Sequence, residues 1–178
     1  MRTINELRAE RKLRAALKAS DWHFSIYREK MIRKESLDWR RHYLPISLKN
    51  LVILDVGAGE GETARFFLDN GAQKVICIEP FKESFMYLKR NAVSHPIVPL
   101  NKSFETSDLL THSFSFLKMD IEGYEESLLQ IDLSFPAVIE VHGLQLKDKF
   151  QQAGWRIEYR TPEDAKGLGC LTYAYWNC

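Results

Sequence analysis

The sequence predicts an α/β fold: a Rossmann-like, doubly wound, mostly parallel seven-stranded sheet with an N-terminal helical extension. Three observations carry this. Short apolar runs alternate with helical stretches from residue 51 onward, a glycine-rich loop follows the first run, and the last two runs follow one another without a helix. Alternating strands and helices build a parallel sheet covered on both faces. Two strands in succession at the end fit an antiparallel hairpin on its edge.

The elements follow in order. Residues 3–19 are rich in Ala, Leu, Arg and Glu and predict a helix. Residues 24–43 predict a second one, ended by Pro45. LVILDVG (51–57) is a short apolar run ending in glycine, the mark of a buried parallel strand. A helix over 62–70 follows, with Gly71 at its C-cap. Further strands are expected at 75–79, 97–100 (weakened by Pro99), 113–120, 137–142, 156–160 and 171–176. Helices are expected at 82–93, from Tyr124 to Gln130, and at 145–153 before Gly154, and a glycine-containing loop joins the last two strands. The chain therefore divides into a basic helical extension, 1–50, and a domain, 51–178.

Composition narrows the class. The chain has 178 residues, 45% hydrophobic and 28% charged, as in an ordinary soluble globule with one full core. No apolar run approaches the roughly 18 residues that span a bilayer, and the N-terminus lacks an apolar signal region. Cys77, Cys170 and Cys178 have no zinc-type spacing. A cytoplasmic protein with reduced thiols and no membrane contact is expected, with Cys77 buried in a strand. The net charge of +1 hides an asymmetry. Residues 1–50 carry 13 Lys and Arg against 6 Asp and Glu, and the remainder carries 12 against 18. Such a division fits a basic arm packed on an acidic body, or a contact with nucleic acid.

The segment Asp55-Val56-Gly57-Ala58-Gly59-Glu60-Gly61 lies between a strand and a helix, where doubly wound sheets bind nucleotides. Glycines there let a ligand approach the backbone. A dinucleotide loop would have a third glycine where this chain has Glu62, and a carboxylate at the helix start opposes a pyrophosphate. A phosphate-free cofactor, S-adenosylmethionine, tolerates it. Glu79, 22 residues beyond Gly57, ends the second strand and is placed to accept hydrogen bonds from two vicinal ribose hydroxyls. Pro80 follows it. Asn101, after the third strand, is a candidate for the adenine or the methionine part, or a turn residue. Thr63 is a candidate for the methionine carboxylate or a helix cap.

LDVGAGEGETARFFLDNGAQKVICIEP resembles the first two motifs of class I methyltransferases. LKMDIEGYEESLL (117–129), followed by AVIEVHG (137–143), resembles the FkbM family, with its K-x-D-x-E-G-x-E segment on the fourth strand. The resemblance covers about 51–155 and not residues 1–50. It implies S-adenosylmethionine-dependent O-methylation without naming an acceptor. Closely spaced strands leave any substrate lid to residues 1–50 or to a partner chain.

Asp120 and Glu122 are two apart near the end of strand four, as are Glu140 and His142 at strand five, so each pair faces one side. If these strands are neighbours, all four groups gather at the carboxyl edge. Methyl transfer to a hydroxyl needs alignment within about 3–3.5 Å and removal of a proton. His142 suits a base near neutral pH, and Asp120 competes with it. Asp120 and Glu122 also suit a structural role, capping the next helix and bonding the Gly123 turn. No resident metal is expected. The alternative is a divalent ion on Asp120, Glu122, Glu140 or His142. No NPPY-type segment follows strand four, which disfavours adenine-N6 or glutamine methylation, and no cysteine is placed as a nucleophile. Arg8, Arg11, Lys12, Arg14, Lys18, Arg33, Lys34, Arg40 and Arg41, interleaved with Trp22, Phe24, Tyr27 and Trp39, suit RNA. They equally suit a solvated face whose aromatics pack on the domain or on a second subunit. The expected function is methylation of a hydroxyl on a small molecule or sugar. Its alternatives are an RNA methyltransferase and a non-catalytic cofactor-binding module. A homodimer through the N-terminal helices is the expected assembly.

Overall fold

A computed structural model of the protein describes Ala15, residues 21–160 and residues 171–178. The helix expected over 3–19, all but Ala15, and the loop expected before the last strand lie outside those residues. Among the elements whose bounds are described, helix α1 (Ile26–Tyr43) comes first, and Ser25 caps it by accepting a hydrogen bond from the Arg28 N–H. Then follow β1 (Val52–Val56), α2 (Glu62–Asp69), β2 (Lys74–Ile78), α3 (Lys82–Asn91) and β3 (Ile97–Leu100). The short helix α4 (Asp108–Thr111), β4 (Phe116–Met119), a 3₁₀ turn (Glu125–Gln130) and β5 (Ala137–His142) come next. Helix α5 (Leu144–Gln152), β6 (Arg156–Tyr159) and β7 (Leu171–Trp176) complete the described elements.

The seven strands form one sheet in the order β3-β2-β1-β4-β5-β7-β6. The first five run parallel, and β7 lies antiparallel between β5 and β6. Alternation along each strand feeds two cores. Ile53, Val75, Cys77, Phe116, Val138 and Tyr173 face one, with Trp39 and Tyr43 of α1 and Phe67 of α2. Leu54, Ile76, Leu117, Ile139 and Phe150 face the other. The second half of the N-terminal extension therefore shares a core with the sheet. Pro99, opposite Cys77, is tolerated because β3 is an edge strand, where a missing N–H costs no second ladder bond.

One expectation is corrected, and one element is new. Glu125–Gln130 is a 3₁₀ turn and not an α-helix. Six residues between the Gly123 turn and the approach to β5 are too few for an amphipathic α-helix to gain from packing, and short 3₁₀ pieces serve as connectors. Helix α4, of four residues, carries no periodic signal and went unpredicted. Among the described residues no helix is long and apolar enough to cross a membrane.

Candidate active site

A cavity of about 610 Å³ opens beyond the carboxyl ends of β1, β2 and β4, a size usual for small-molecule sites. Gly57 and Gly59 form its floor. Both have positive φ, 74° and 56°. A Cβ at Gly57 would lie 1.9 Å from the Asp120 carbonyl oxygen, and one at Gly59 would lie 2.6 Å from the Glu62 carboxylate. The backbone contact at Gly57 leaves no room for a side chain, whereas at Gly59 the left-handed φ favours glycine and the end of the Glu62 side chain would have to shift.

Glu79 lies on the cavity wall and is 4% exposed. One carboxylate oxygen accepts from the Gly59 N–H at 2.8 Å and the other from the Phe81 N–H at 2.8 Å. Each oxygen keeps a lone pair for a further donor. Burial raises its pKa, and those two backbone bonds oppose the rise. Asn101 does not line the cavity. Its amide donates to the Glu79 and Pro80 carbonyls at 2.9 and 3.2 Å, clamping the turn after β2. Pro80 lines the wall.

Asp55 is fully buried beneath the loop. It accepts from Thr63 Oγ1 at 2.6 Å and pairs with Lys118 Nζ at 2.9 Å. Thr63 lines the cavity, but its hydroxyl proton is spent on Asp55. Lys118, 1% exposed, also donates to the Gly57 carbonyl at 3.0 Å. Burial alone would lower its pKa, yet Asp55 and Asp120 outweigh burial and hold it raised and charged. Ala58 and Gly61 belong to the loop without facing the cavity.

Asp120 and Glu122 both line the cavity. His142 stands behind Asp120, in a neighbouring depression with Gly123 and Gly143, its Nε2 3.8 Å from Asp120 Oδ1. The other ring nitrogen, Nδ1, meets the carboxylate of the fully buried Glu125 at 2.7 Å. That bond is the largest influence on His142 and raises its pKa against burial, with Asp120, Glu125 and Glu140 adding to the rise. Glu140 is buried and braced by Arg160 at 3.3 Å. Burial and the charge of Asp120 push its pKa up to about 7. Ligand atoms of Asp120, Glu140 and His142 lie within 4.8 Å of one another.

Three residues that matter here escaped the sequence reading. Lys118 had a signal, a cation inside an apolar strand. Glu125 stood in the quoted motif without a role. Arg28, whose guanidinium reaches the cavity from α1 and lies 2.6 Å from Glu62, had none beyond its place in a charged helix.

No family model and no curated protein matches the chain. Solved structures do match. This is the Rossmann-like methyltransferase fold. Fibrillarin from Aeropyrum pernix, solved with natively bound S-adenosyl-L-methionine, aligns at a TM-score of 0.57 with 12% identity. That alignment covers 80% of this chain and 73% of fibrillarin. An S-adenosylmethionine-dependent methyltransferase from Aquifex aeolicus aligns at 0.56 with 15% identity, over 86% of this chain and 98% of that one. The ribosomal protein L11 methylase of Lactobacillus delbrueckii subsp. bulgaricus aligns at 0.55 with 14% identity, over 83% and 78%. Within the methyltransferase fold, the cavity lies where doubly wound sheets place their ligands, outside the carboxyl ends of the strands.

Proposed function

We propose that the protein is an S-adenosylmethionine-dependent methyltransferase of the FkbM type, acting on a hydroxyl of a small molecule or sugar. The observation that carries the cofactor is Glu79. It is fixed by two backbone N–H groups beside a glycine floor and retains acceptor capacity on both oxygens. Vicinal ribose hydroxyls match that pair of free lone pairs. Bound there, S-adenosylmethionine would supply a methyl group on a sulfonium sulfur. The segment from Lys118 to Glu125 supports the FkbM reading, because its charged residues are all engaged. Lys118 pairs with Asp55, Asp120 and Glu122 line the cavity, and Glu125 bonds His142.

The residues of this chain supply the rest. With Nδ1–H donated to Glu125, the His142 Nε2 is left to take a proton, and Asp120 stands between it and the cavity. The carboxylates on the wall, Glu35, Glu62, Glu79, Asp120 and Glu122, outnumber the cations Arg28 and Lys118, which are already paired. Such a wall favours a neutral acceptor over one bearing phosphates.

The test is calorimetric binding of S-adenosylmethionine beside a methyl-transfer screen across polyols, sugars and RNA. Glu79→Ala is expected to weaken binding by about tenfold or more, the size of a lost hydrogen bond to a charged group. Unchanged binding in Glu79→Ala would sink the cofactor assignment. Label appearing in RNA and in no polyol or sugar would replace the acceptor.

A further inference from the structure

The two faces of α1 differ in charge. Glu35 and Asp38 turn toward the domain and pair with Arg160, and Arg28 pairs with Glu62. Among the described side chains of the helix, every exposed one is either a cation or large and hydrophobic. Lys30, Lys34, Arg40 and Arg41 are the cations. Ile26, Tyr27 and Leu37 are 76%, 66% and 64% exposed, and Leu44 at the C-cap extends them. At about 3.6 residues per turn, Ile26, Leu37 and Leu44 fall close to one line. Lys30, Lys34 and Arg41 run along one side of it and Arg40 along the other. A bare aliphatic ridge flanked by charges does nothing for the core, and exposed apolar patches with a polar rim mark contacts with other surfaces.

We propose that this face of α1 docks the protein on an anionic phospholipid bilayer, the aliphatic ridge entering the headgroup boundary and the cations meeting the lipid charges. The chemistry of the face selects that partner. A second copy docked symmetrically through the same face would set these cations against their own equivalents, with no exposed carboxylate of α1 between them. RNA would answer the charges but not the aliphatic ridge, and the aromatics that could stack on bases are withdrawn. Trp22 and Trp39 are buried in the core and Phe24 packs against it, so Tyr27 alone of the four is exposed. An anionic bilayer matches both parts of the face. Apolar side chains gain by leaving water, and each Lys or Arg gains from the negative surface potential. The expectation of no membrane contact rested on the lack of a spanning segment, which a helix lying on the surface does not need. Arg28, Glu35 and Trp39, which line the cavity, lie on the opposite side of α1, so docking does not cover them.

Vesicle flotation of the full chain tests this at about 0.1 M salt, where surface charges still act over roughly 10 Å. One vesicle is phosphatidylcholine alone, the other equal parts of phosphatidylcholine and phosphatidylserine. Wild type is expected to bind the mixed vesicle about tenfold or more tighter than the neutral one. Replacing Lys30, Lys34, Arg40 and Arg41 together by Gln, a good helix former, should weaken that binding about a hundredfold. The pair Ile26→Ser and Leu37→Ser should weaken it about tenfold. Every substituted side chain is exposed, so circular dichroism should show both variants melting with wild type. Absent binding to the mixed vesicle, equal binding to both vesicles, or full binding by the Gln variant would overturn the proposal. So would a single-stranded RNA that wild type prefers to the mixed vesicle and that the Ser variant binds as well as wild type does, for the face would then serve RNA.

Discussion

Lys118 carries its charge where almost no water reaches it, and Asp55 is what makes that tolerable. Removing one partner of a buried pair leaves the other uncompensated, at about 3–5 kcal/mol. Lys118→Met should therefore lower the melting temperature by roughly 10 °C, and Asp55→Leu in the same chain should recover much of the loss. Equal melting temperatures for wild type and Lys118→Met would show that the pair stabilises nothing. Gly59→Ala forces a Cβ to 2.6 Å from the Glu62 carboxylate at a φ of 56°. It should abolish nucleoside binding while leaving a folded chain, read by calorimetry and circular dichroism together. At His142 the proton-accepting form is the neutral ring. A pKa raised by Glu125 thus sets the ascending limb of a pH–rate profile above the ordinary histidine value of about 6.5. Glu125→Gln removes the largest cause, so the limb should move to lower pH. A limb that stays in place would mean that Glu125 does not act through His142.

At the scale of elements, Asn91 at the end of α3 ties three segments together. Its amide donates to the carbonyls of His23 and Glu60 at 3.0 Å each, and its oxygen accepts from the His23 N–H at 2.7 Å. Asn91→Ala should cost about 1–3 kcal/mol. It should also speed amide exchange over residues 22–28 more than over β1, which hydrogen–deuterium exchange would resolve. How far such elements are legible in the sequence depends on how much of their signal is local. Strands β1, β2 and β5 are continuous apolar runs because both faces of a parallel sheet are covered, and Pro99 already marks β3 as an edge. The position of β7 is not legible. Consecutive strands suggest a hairpin of β6 with β7, and nothing local says that β7 also pairs with β5 and so enters the sheet between them. The site divides the same way. Glu79 and the glycines follow from spacing, whereas the Glu125–His142 bond spans 17 residues and the Arg28–Glu62 pair joins two elements across the loop.

For the whole molecule, ion pairs among the described residues run in both directions between α1 and the sheet domain. Arg28 of the basic arm reaches Glu62, while Glu35 and Asp38 of the same helix hold Arg160 at 3.5 and 2.9 Å. The helix is fastened at two points on the sheet's carboxyl side, one beyond β1 in the middle of the sheet and one beyond β6 at its edge. His42 lies between helix and sheet, fully buried, stacked on Tyr173 and bonded to the Tyr175 hydroxyl. Burial, then Arg41, lower its pKa to about 4, while Glu158 and Asp38 oppose and Arg160 assists. The unfolded chain binds a proton here below about pH 6.5, and the folded chain refuses it until about pH 4. The stability present above about pH 6.5 is thus lost as pH falls through that window. Urea unfolding at pH 7.5 and pH 5 should show wild type losing about 1–2 kcal/mol more than His42→Gln. Equal losses would remove His42 from the account. The sheet order has a further consequence, for synthesis. Residues 171–176 separate two strands that leave the ribosome before them. Until they arrive, β5 exposes an unpaired edge beside Glu140 and His142, and β6 has no ladder partner among the described strands. Nascent chains halted before Leu171 should therefore depend on chaperones, and the proton-accepting side of the site closes only when translation has passed Trp176.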